Sequence, residues 1–258
     1  MTTAITMDLD LLDKVKGHEN KIIFYTEQEQ IDELTEEEIE LLDNFDLIVD
    51  GSYNTIKIKI KDRNAVETFL RRDGLFISVI GNNNNVDLGL IGYNVNPLLN
   101  ITELQIYIGG AADQFINPDI PRYASNCNVS IADGTVFCGT RIYLQDDNST
   151  VTIGKDCMFS WGIDVWCTDV HTILDMDGNI TNYGKSIEIQ DHVWVGKDSK
   201  IGKNTKISKD SIIGWNSVVT KAFDQTNVII AGNPAKIVKT DINWDARDIQ
   251  NYKLYKGL

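Results

Sequence analysis

Residues 187–219 read Ile-Glu-Ile-Gln-Asp-His-Val-Trp-Val-Gly-Lys-Asp-Ser-Lys-Ile-Gly-Lys-Asn-Thr-Lys-Ile-Ser-Lys-Asp-Ser-Ile-Ile-Gly-Trp-Asn-Ser-Val-Val. A branched aliphatic returns at every sixth position: Ile189, Val195, Ile201, Ile207, Ile213 and Val219. Four places after each of the first five stands a mostly small residue, at Val193, Ser199, Thr205, Ser211 and Ser217, and Gly196, Gly202 and Gly214 directly follow an aliphatic. An amphipathic helix repeats at three and four and a half-buried strand at two, so a sustained period of six belongs to neither. It predicts a solenoid of short strands and corners. Each hexad makes one flat side of a coil and turns a β-branched side chain inward, a packing that suits parallel strands.

Upstream, the same phase is present at Ile153, Phe159 and Val165, and its next position is His171. There the repeat stops. Residues 172–186, containing Asp177-Gly178-Asn179 and Tyr183-Gly184, read as an excursion before Ile187 restarts the coils. A loop added to a regular wall points to a site, because the wall itself does not need it. Farther back the repeat begins irregularly at Leu75, and the run Asn82–Asn85 suits a corner because Asn tolerates left-handed backbone angles. Residues 93–123, with Pro97, Pro118 and Pro121, lose the pattern and are expected to contain a second excursion, after which Val129-Ser130-Ile131 resumes it. Pro234 lacks a ladder donor, so the coils are expected to end near it.

Residues 1–75 carry no hexads. Lys21–Thr26 and Asp46–Asp50 read as strands around a helix that opens on the capping box of Thr35 and Glu38, with Ile39, Leu41 and Leu42 available to face a core. Tyr53–Ile60 alternates, and Ala65, Val66, Phe69 and Leu70 fit a short helix before Gly74. The expected organisation is an N-terminal α/β cap over residues 1–75, a β-helix over 76–238 and a tail over 239–258. A cap protects the first coil's open edge; an acceptor-binding or oligomerising domain is the alternative.

The net charge of −14 is uneven. Residues 1–50 hold fifteen Asp and Glu against three Lys, whereas residues 185–239 hold nine Lys against five acids. Duplex nucleic acid is thereby an unsuitable partner, while a compact phosphorylated cofactor suits the lysine-rich end; solvated corners of the coil are the other reading of the lysines. No run of eighteen apolar residues and no signal-peptide pattern occurs, so a cytoplasmic protein without a transmembrane segment is expected. Cys127, Cys138, Cys157 and Cys167 form no Cys-x-x-Cys pair and read as core thiols in a reducing compartment.

The three histidines are His18, His171 and His192. A catalytic zinc wants about three protein ligands, and no third histidine lies near the coils, so no metal is expected. His171, in Cys167-Thr168-Asp169-Val170-His171, is placed to accept a proton from a hydroxyl, with a carboxylate or carbonyl fixing its tautomer; the other reading is a histidine that caps the loop. His192 is expected to point out of the coil. Cys167 is read as packing, because a thiolate needs an exposed, electropositive setting.

Together, the hexads, Asp164-Val165-Trp166-Cys167-Thr168-Asp169-Val170-His171, Asn182-Tyr183-Gly184-Lys185, Asp191-His192-Val193-Trp194-Val195-Gly196 and Ala231-Gly232-Asn233-Pro234-Ala235-Lys236 resemble the left-handed β-helix acyltransferases of the hexapeptide-repeat superfamily. The resemblance is closest to the bacterial surface-polysaccharide O-acetyltransferases, including the polysialic acid O-acetyltransferase type. It covers about residues 75–240. It implies an all-β, left-handed parallel β-helix with a small N-terminal cap and a short C-terminal tail, assembled as a homotrimer with sites in the grooves between coils. It further implies transfer of acetyl from acetyl-coenzyme A to a sugar hydroxyl of a bacterial glycan. His171 is then the general base and Trp194 shapes the catalytic site. Lys221, Ala231, Gly232 and Lys236 face the cofactor, and Trp166, Asp169 and Tyr183 the acceptor. Left-handedness comes from the resemblance, since ordinary crossovers are right-handed. An N-acetyltransferase of an amino-sugar nucleotide and a non-catalytic assembly solenoid are the alternatives. The first would favour a nucleotide-binding N-terminal domain, and no Gly-rich loop follows the first predicted strand.

Overall fold

The computed structural model describes residues 3–12, 14–27, 33–71, 74–91, 103–110 and 123–258. Among them the strands form three sheets of eight, six and eight members, the three walls of a left-handed parallel β-helix. The first wall runs through Thr3–Asp8, Lys21–Thr26, Thr55–Lys59, Asn85–Leu88, Asn128–Ile131, Thr150–Ile153, Ser186–Ile189 and Thr205–Ile207. The second comprises Val136–Phe137, Met158–Phe159, Trp194–Val195, Ile212–Ile213, Ile229–Gly232 and Ala235–Lys239. The third comprises Val15–Lys16, Leu47–Asp50, Leu75–Ile80, Leu104–Ile108, Thr140–Leu144, Ile163–Trp166, Lys200–Gly202 and Val218–Val219. Pairing is parallel except at the two ends of the stack. Thr3–Asp8 runs antiparallel to Lys21–Thr26, and the chain reverses around Pro234 into the hairpin of the last two second-wall strands.

The period of six has three structural components. The six aliphatics of the repeat point inward and are at most 1 % exposed. The small residues four places on are buried at the next corner, where the hydroxyls meet backbone carbonyls: Ser199 Oγ and Ser217 Oγ donate to Gly214 O at 2.9 and 2.7 Å, and Thr205 Oγ1 to Gly202 O at 2.8 Å. Val193 fills the same position with an apolar side chain and is likewise buried. The third component is a left-handed residue at every turn, at His192, Asp198, Asn204, Asp210 and Asn216, with φ between 53 and 60°. Asn and Asp tolerate this region. His192 occupies a position that its neighbouring hexads give to Asp or Asn.

The sheets pass residue 75 without a break, since Thr55–Lys59 pairs with Asn85–Leu88 and Leu47–Asp50 with Leu75–Ile80. In chain order the helices Glu36–Asn44 and Ala65–Leu70 take the slot that a second-wall strand takes in later coils. Thr35 and Glu38 form the expected capping box, and Leu42 is buried. Ile39 is 40 % exposed, contrary to expectation, because the helix turns Glu38 inward to meet Arg63 instead. Buried asparagines bind successive N-terminal coils: Asn54 Nδ2 donates to Asn20 Oδ1 at 3.0 Å, Asn84 N to Asn54 Oδ1 at 3.0 Å and Cys127 N to Asn84 Oδ1 at 2.9 Å. Within residues 93–123, where an excursion is expected, Leu104–Ile108 is a regular third-wall strand paired on both sides. Residues 92–102 and 111–122, which include Pro97, Pro118 and Pro121, lie outside the described residues. Among the described residues no helix is long and apolar enough to cross a membrane.

Candidate active site

Cys167 and Thr168 end the third-wall strand Ile163–Trp166 in buried positions, and the chain then turns outward. The turn places Val170 at φ 64°, where a β-branched residue is strained by about 1–3 kcal/mol. Polar groups hold it. Val170 N donates to Thr168 Oγ1 at 2.9 Å, Thr168 Oγ1 to Asp146 Oδ1 at 3.1 Å, and Gly184 N to Asp146 Oδ2 at 2.7 Å. One carboxylate thus clamps the outgoing and returning limbs. A second clamp is Asn182, whose Nδ2 donates to His171 O at 2.8 Å and Asp169 Oδ2 at 2.9 Å, while its Oδ1 accepts from Ile173 N at 2.8 Å. Lys203 from the following coil pairs with the Asp169 carboxylate and donates to Asn182 O at 2.6 Å.

His171 stands at this root with its backbone fixed on both sides, since its N–H also donates to Asp169 O at 2.6 Å. Its side chain is exposed and meets no partner among the described residues. The Asp169 carboxylate is engaged by Lys203 and Asn182 rather than by the imidazole. Partial burial alone would raise its pKa; the hydrogen bonds from Lys203 and Asn182, with the ammonium charge, outweigh that and hold it below its ordinary value. Beyond the root the arm is a short hairpin. Leu174 bridges Ile180, and Asp175 Oδ1 accepts from Asp177 N and Asn179 N at 2.9 and 2.8 Å. Residues 171–181 are all exposed, including Ile173, Leu174, Met176 and Ile180, an apolar set that no other described residue covers.

Trp194 lies on the second wall, in register between Met158 and Ile212. Trp244 from the C-terminal tail lies 6.0 Å from it, ring to ring, and stacks on His192 at 4.3 Å with planes 9° apart. The Trp244 indole donates to His192 O at 2.8 Å, and His192 Nδ1 meets Asp210 Oδ1 at 3.0 Å. His192 and Trp244 border a cleft of about 710 Å³ between wall and tail, which Gly134, Cys157, Met158 and Arg247 also line. His192 is therefore a half-buried anchor for the tail as well as a corner residue. Sequence reasoning missed Trp244, Asp146 and Lys203, none of which sits at a marked phase of the repeat.

The remaining site candidates fall in two groups. Ala231, Gly232 and Lys236 share the C-terminal hairpin, with Ala231 opposite Lys236. Gly232, at φ 102°, donates its N–H to Ser217 Oγ at 3.1 Å. Lys221 is apart from them, its ammonium 5.3 Å from the Phe223 ring centroid. Trp166 faces outward from the third wall, and Tyr183 lies on the returning limb of the arm, its carbonyl accepting from Asn204 Nδ2 at 3.1 Å. His171 is at the corner from third wall to first, and Trp194 is on the second; no contact joins them within one chain. Burial pushes the Cys157 and Cys167 thiols up to about 12, which removes thiolate chemistry from Cys167.

A polysialic acid O-acetyltransferase of Neisseria meningitidis is 35 % identical over 175 residues, covering 65 % of this chain and 78 % of that protein. The chain belongs to the polysialic acid O-acetyltransferase family. It is accordingly an O-acetyltransferase, which sets aside both the assembly solenoid and the N-acetyltransferase. A second polysialic acid O-acetyltransferase, from Escherichia coli O1:K1 / APEC, is 43 % identical over 111 residues, 43 % of this chain and 36 % of that one. The crystallographic structure of the polysialic acid O-acetyltransferase OatWY superposes with a TM-score of 0.59 at 26 % identity, covering 81 % of this chain and 85 % of that one. The polySia-specific acetyltransferase NeuO shares the fold, with a TM-score of 0.61 at 22 % identity over 94 % of this chain and 96 % of that one. No protein-family profile matches the chain.

Proposed function

We propose that this O-acetyltransferase moves an acetyl group from acetyl-coenzyme A to a hydroxyl of a bacterial surface polysaccharide, an anionic sialic acid polymer of the kind its relatives are named for. The observation that carries the reading is His171, held by its backbone at the arm's root with an open imidazole. The imidazole takes the acceptor's hydroxyl proton as the oxygen attacks the thioester carbonyl carbon. The tetrahedral intermediate collapses with cleavage of the C–S bond, and the imidazolium returns the proton to the departing sulfur. Trp194 shapes the pocket in which the oxyanion forms. The hairpin of Ala231, Gly232 and Lys236 lets pantetheine approach closely and sets an ammonium near the phosphates, with Lys221 as a second cation.

A base on one corner and an indole on another wall are complementary only if different copies supply them. Together with the uncovered apolar arm, this favours a homotrimer whose sites lie between neighbours. Trp166, Asp169 and Tyr183 are then on the acceptor side, Asp169 acting through the loop root it latches. The donor is an intracellular metabolite, which favours a cytoplasmic location.

The test is incubation with labelled acetyl-coenzyme A and a panel of bacterial glycans, followed by mass spectrometry. Wild type should acetylate polysialic acid, and His171→Ala should lose about 10²- to 10⁴-fold in kcat with its melting temperature unchanged. Near-normal turnover by that variant would contradict the role of His171.

A further inference from the structure

The third wall carries two outward columns of side chains. One contains Tyr107, Tyr143 and Trp166 on successive strands, with Phe76 set diagonally at its start. Ring-to-ring steps are 5.3 Å from Phe76 to Tyr107, 4.6 Å from Tyr107 to Tyr143 with planes 4° apart, and 4.7 Å from Tyr143 to Trp166. The stack then ends. The next position in register after Trp166 is Gly202. A Cβ placed on Gly202 would meet a single neighbour within 4 Å, the Val219 carbonyl oxygen at 3.4 Å. The indole is tilted against Tyr143, with planes 54° apart. Where the column would place a fourth ring, a side chain on Gly202 would meet nothing but that carbonyl within 4 Å, so the position is open, floored by glycine backbone and flanked in register by Trp166.

This notch adjoins the base. Lys203, the residue after Gly202, binds the Asp169 carboxylate and Asn182 O, and both of those residues bond to the His171 backbone. The parallel outward column holds Arg141, Asp164 and Lys200, with Arg141 2.8 Å and Lys200 2.6 Å from the one carboxylate. Two cations share a single anion, so the rim keeps a positive charge. A floor without side chains, one aromatic wall and a cationic rim do not match an apolar side chain of a neighbouring copy. They match a ring with an apolar C–H face and a polar, anionic edge, because the ring face of an indole is electronegative and attracts polarised C–H groups.

We infer that the notch between Trp166 and Gly202 is a binding subsite for one anionic pyranose unit of the acceptor, which continues the Tyr107–Tyr143–Trp166 stack and presents its chain to His171. The inference rests on the proposed transfer to an anionic glycan. Gly202 specifies the subsite by omission: any side chain there fills it. Its backbone is ordinary strand, so substitution is compatible with the fold.

The test compares wild type, Gly202→Leu and Trp166→Ala. The probe is a polysialic acid oligomer, read both by turnover and by direct binding to a His171→Ala background in saturation-transfer NMR. Filling the notch or removing its wall should raise the acceptor KM about tenfold or more, with the acetyl-coenzyme A KM, melting temperature and sedimentation coefficient unchanged. Oligomer binding to the His171→Ala protein should persist and should be lost when Gly202→Leu is added. Wild-type KM and undiminished binding in Gly202→Leu would overturn the subsite while leaving the acetyl-transfer reading intact. A change in sedimentation would overturn it too, by assigning the notch to a contact between copies. Failure of wild type to acetylate any sialic acid polymer would defeat the functional reading first, and an absence of oligomer binding to wild type would take the subsite with it.

Discussion

The wall of residues 186–219 and the arm of residues 167–185 are built on opposite terms. In the wall every sixth side chain is an aliphatic at most 1 % exposed, and its corners satisfy their own polar groups. Burial supplies its stability, and any one coil resembles the next. In the arm residues 171–181 are all exposed, and the limbs are held by Asp146, Asn182 and Lys203 at the root. The wall explains persistence of the fold, and the arm explains the placement of His171, the proposed base. A regular solenoid offers identical corners, so a single chemical site requires a break in the repeat, and the strained Val170 marks where that break begins.

The difference is tested most severely in the wall. Ile201→Ala removes an inward aliphatic from a stack that cannot close over the cavity, and should cost about 2–5 kcal/mol, read as a lower denaturation midpoint. A loss well under that range would mean that the coils relax around a missing layer and that the repeat is less tightly packed than its burial implies. The arm should respond to acid instead. Because the folded pKa of Asp169 lies below its ordinary value, its latch contributes fully above that value and is lost as pH falls through the lowered one. Amide exchange in residues 169–182 should therefore quicken in strong acid before exchange in the wall does. Equal acceleration in both regions would show that the arm is not an independently held unit.

The wall was legible because three separate demands recur with one period: an inward aliphatic, a small corner residue and a left-handed position. His192 shows the limit of that legibility. Its place in the repeat was visible, but its stacking on Trp244 was not, because Trp244 comes from a tail with no period of its own. Likewise the sequence marks where the arm leaves, at His171, yet Asp146 clamps it from an earlier coil, a separation of 38 residues to Gly184 that no local pattern encodes. Leu104–Ile108 pairs on both sides in the third wall but carries no hexad phase that continues into the residues around it, so the repeat does not mark it as a strand. Ile39 failed because a buried ion pair, rather than an aliphatic, took the inward position.

The central claim is that the arm of one copy and the wall of another make each site. It is tested most directly by mixing subunits. His171→Ala and Trp194→Ala, each strongly impaired alone, are unfolded together, refolded as mixed assemblies and assayed for acetyl transfer to polysialic acid. The account predicts recovery of up to about a quarter of wild-type activity, the share of sites that by chance combine an intact His171 from one copy with an intact Trp194 from its neighbour. Activity in the mixture no greater than the sum of the two variants assayed separately would contradict it.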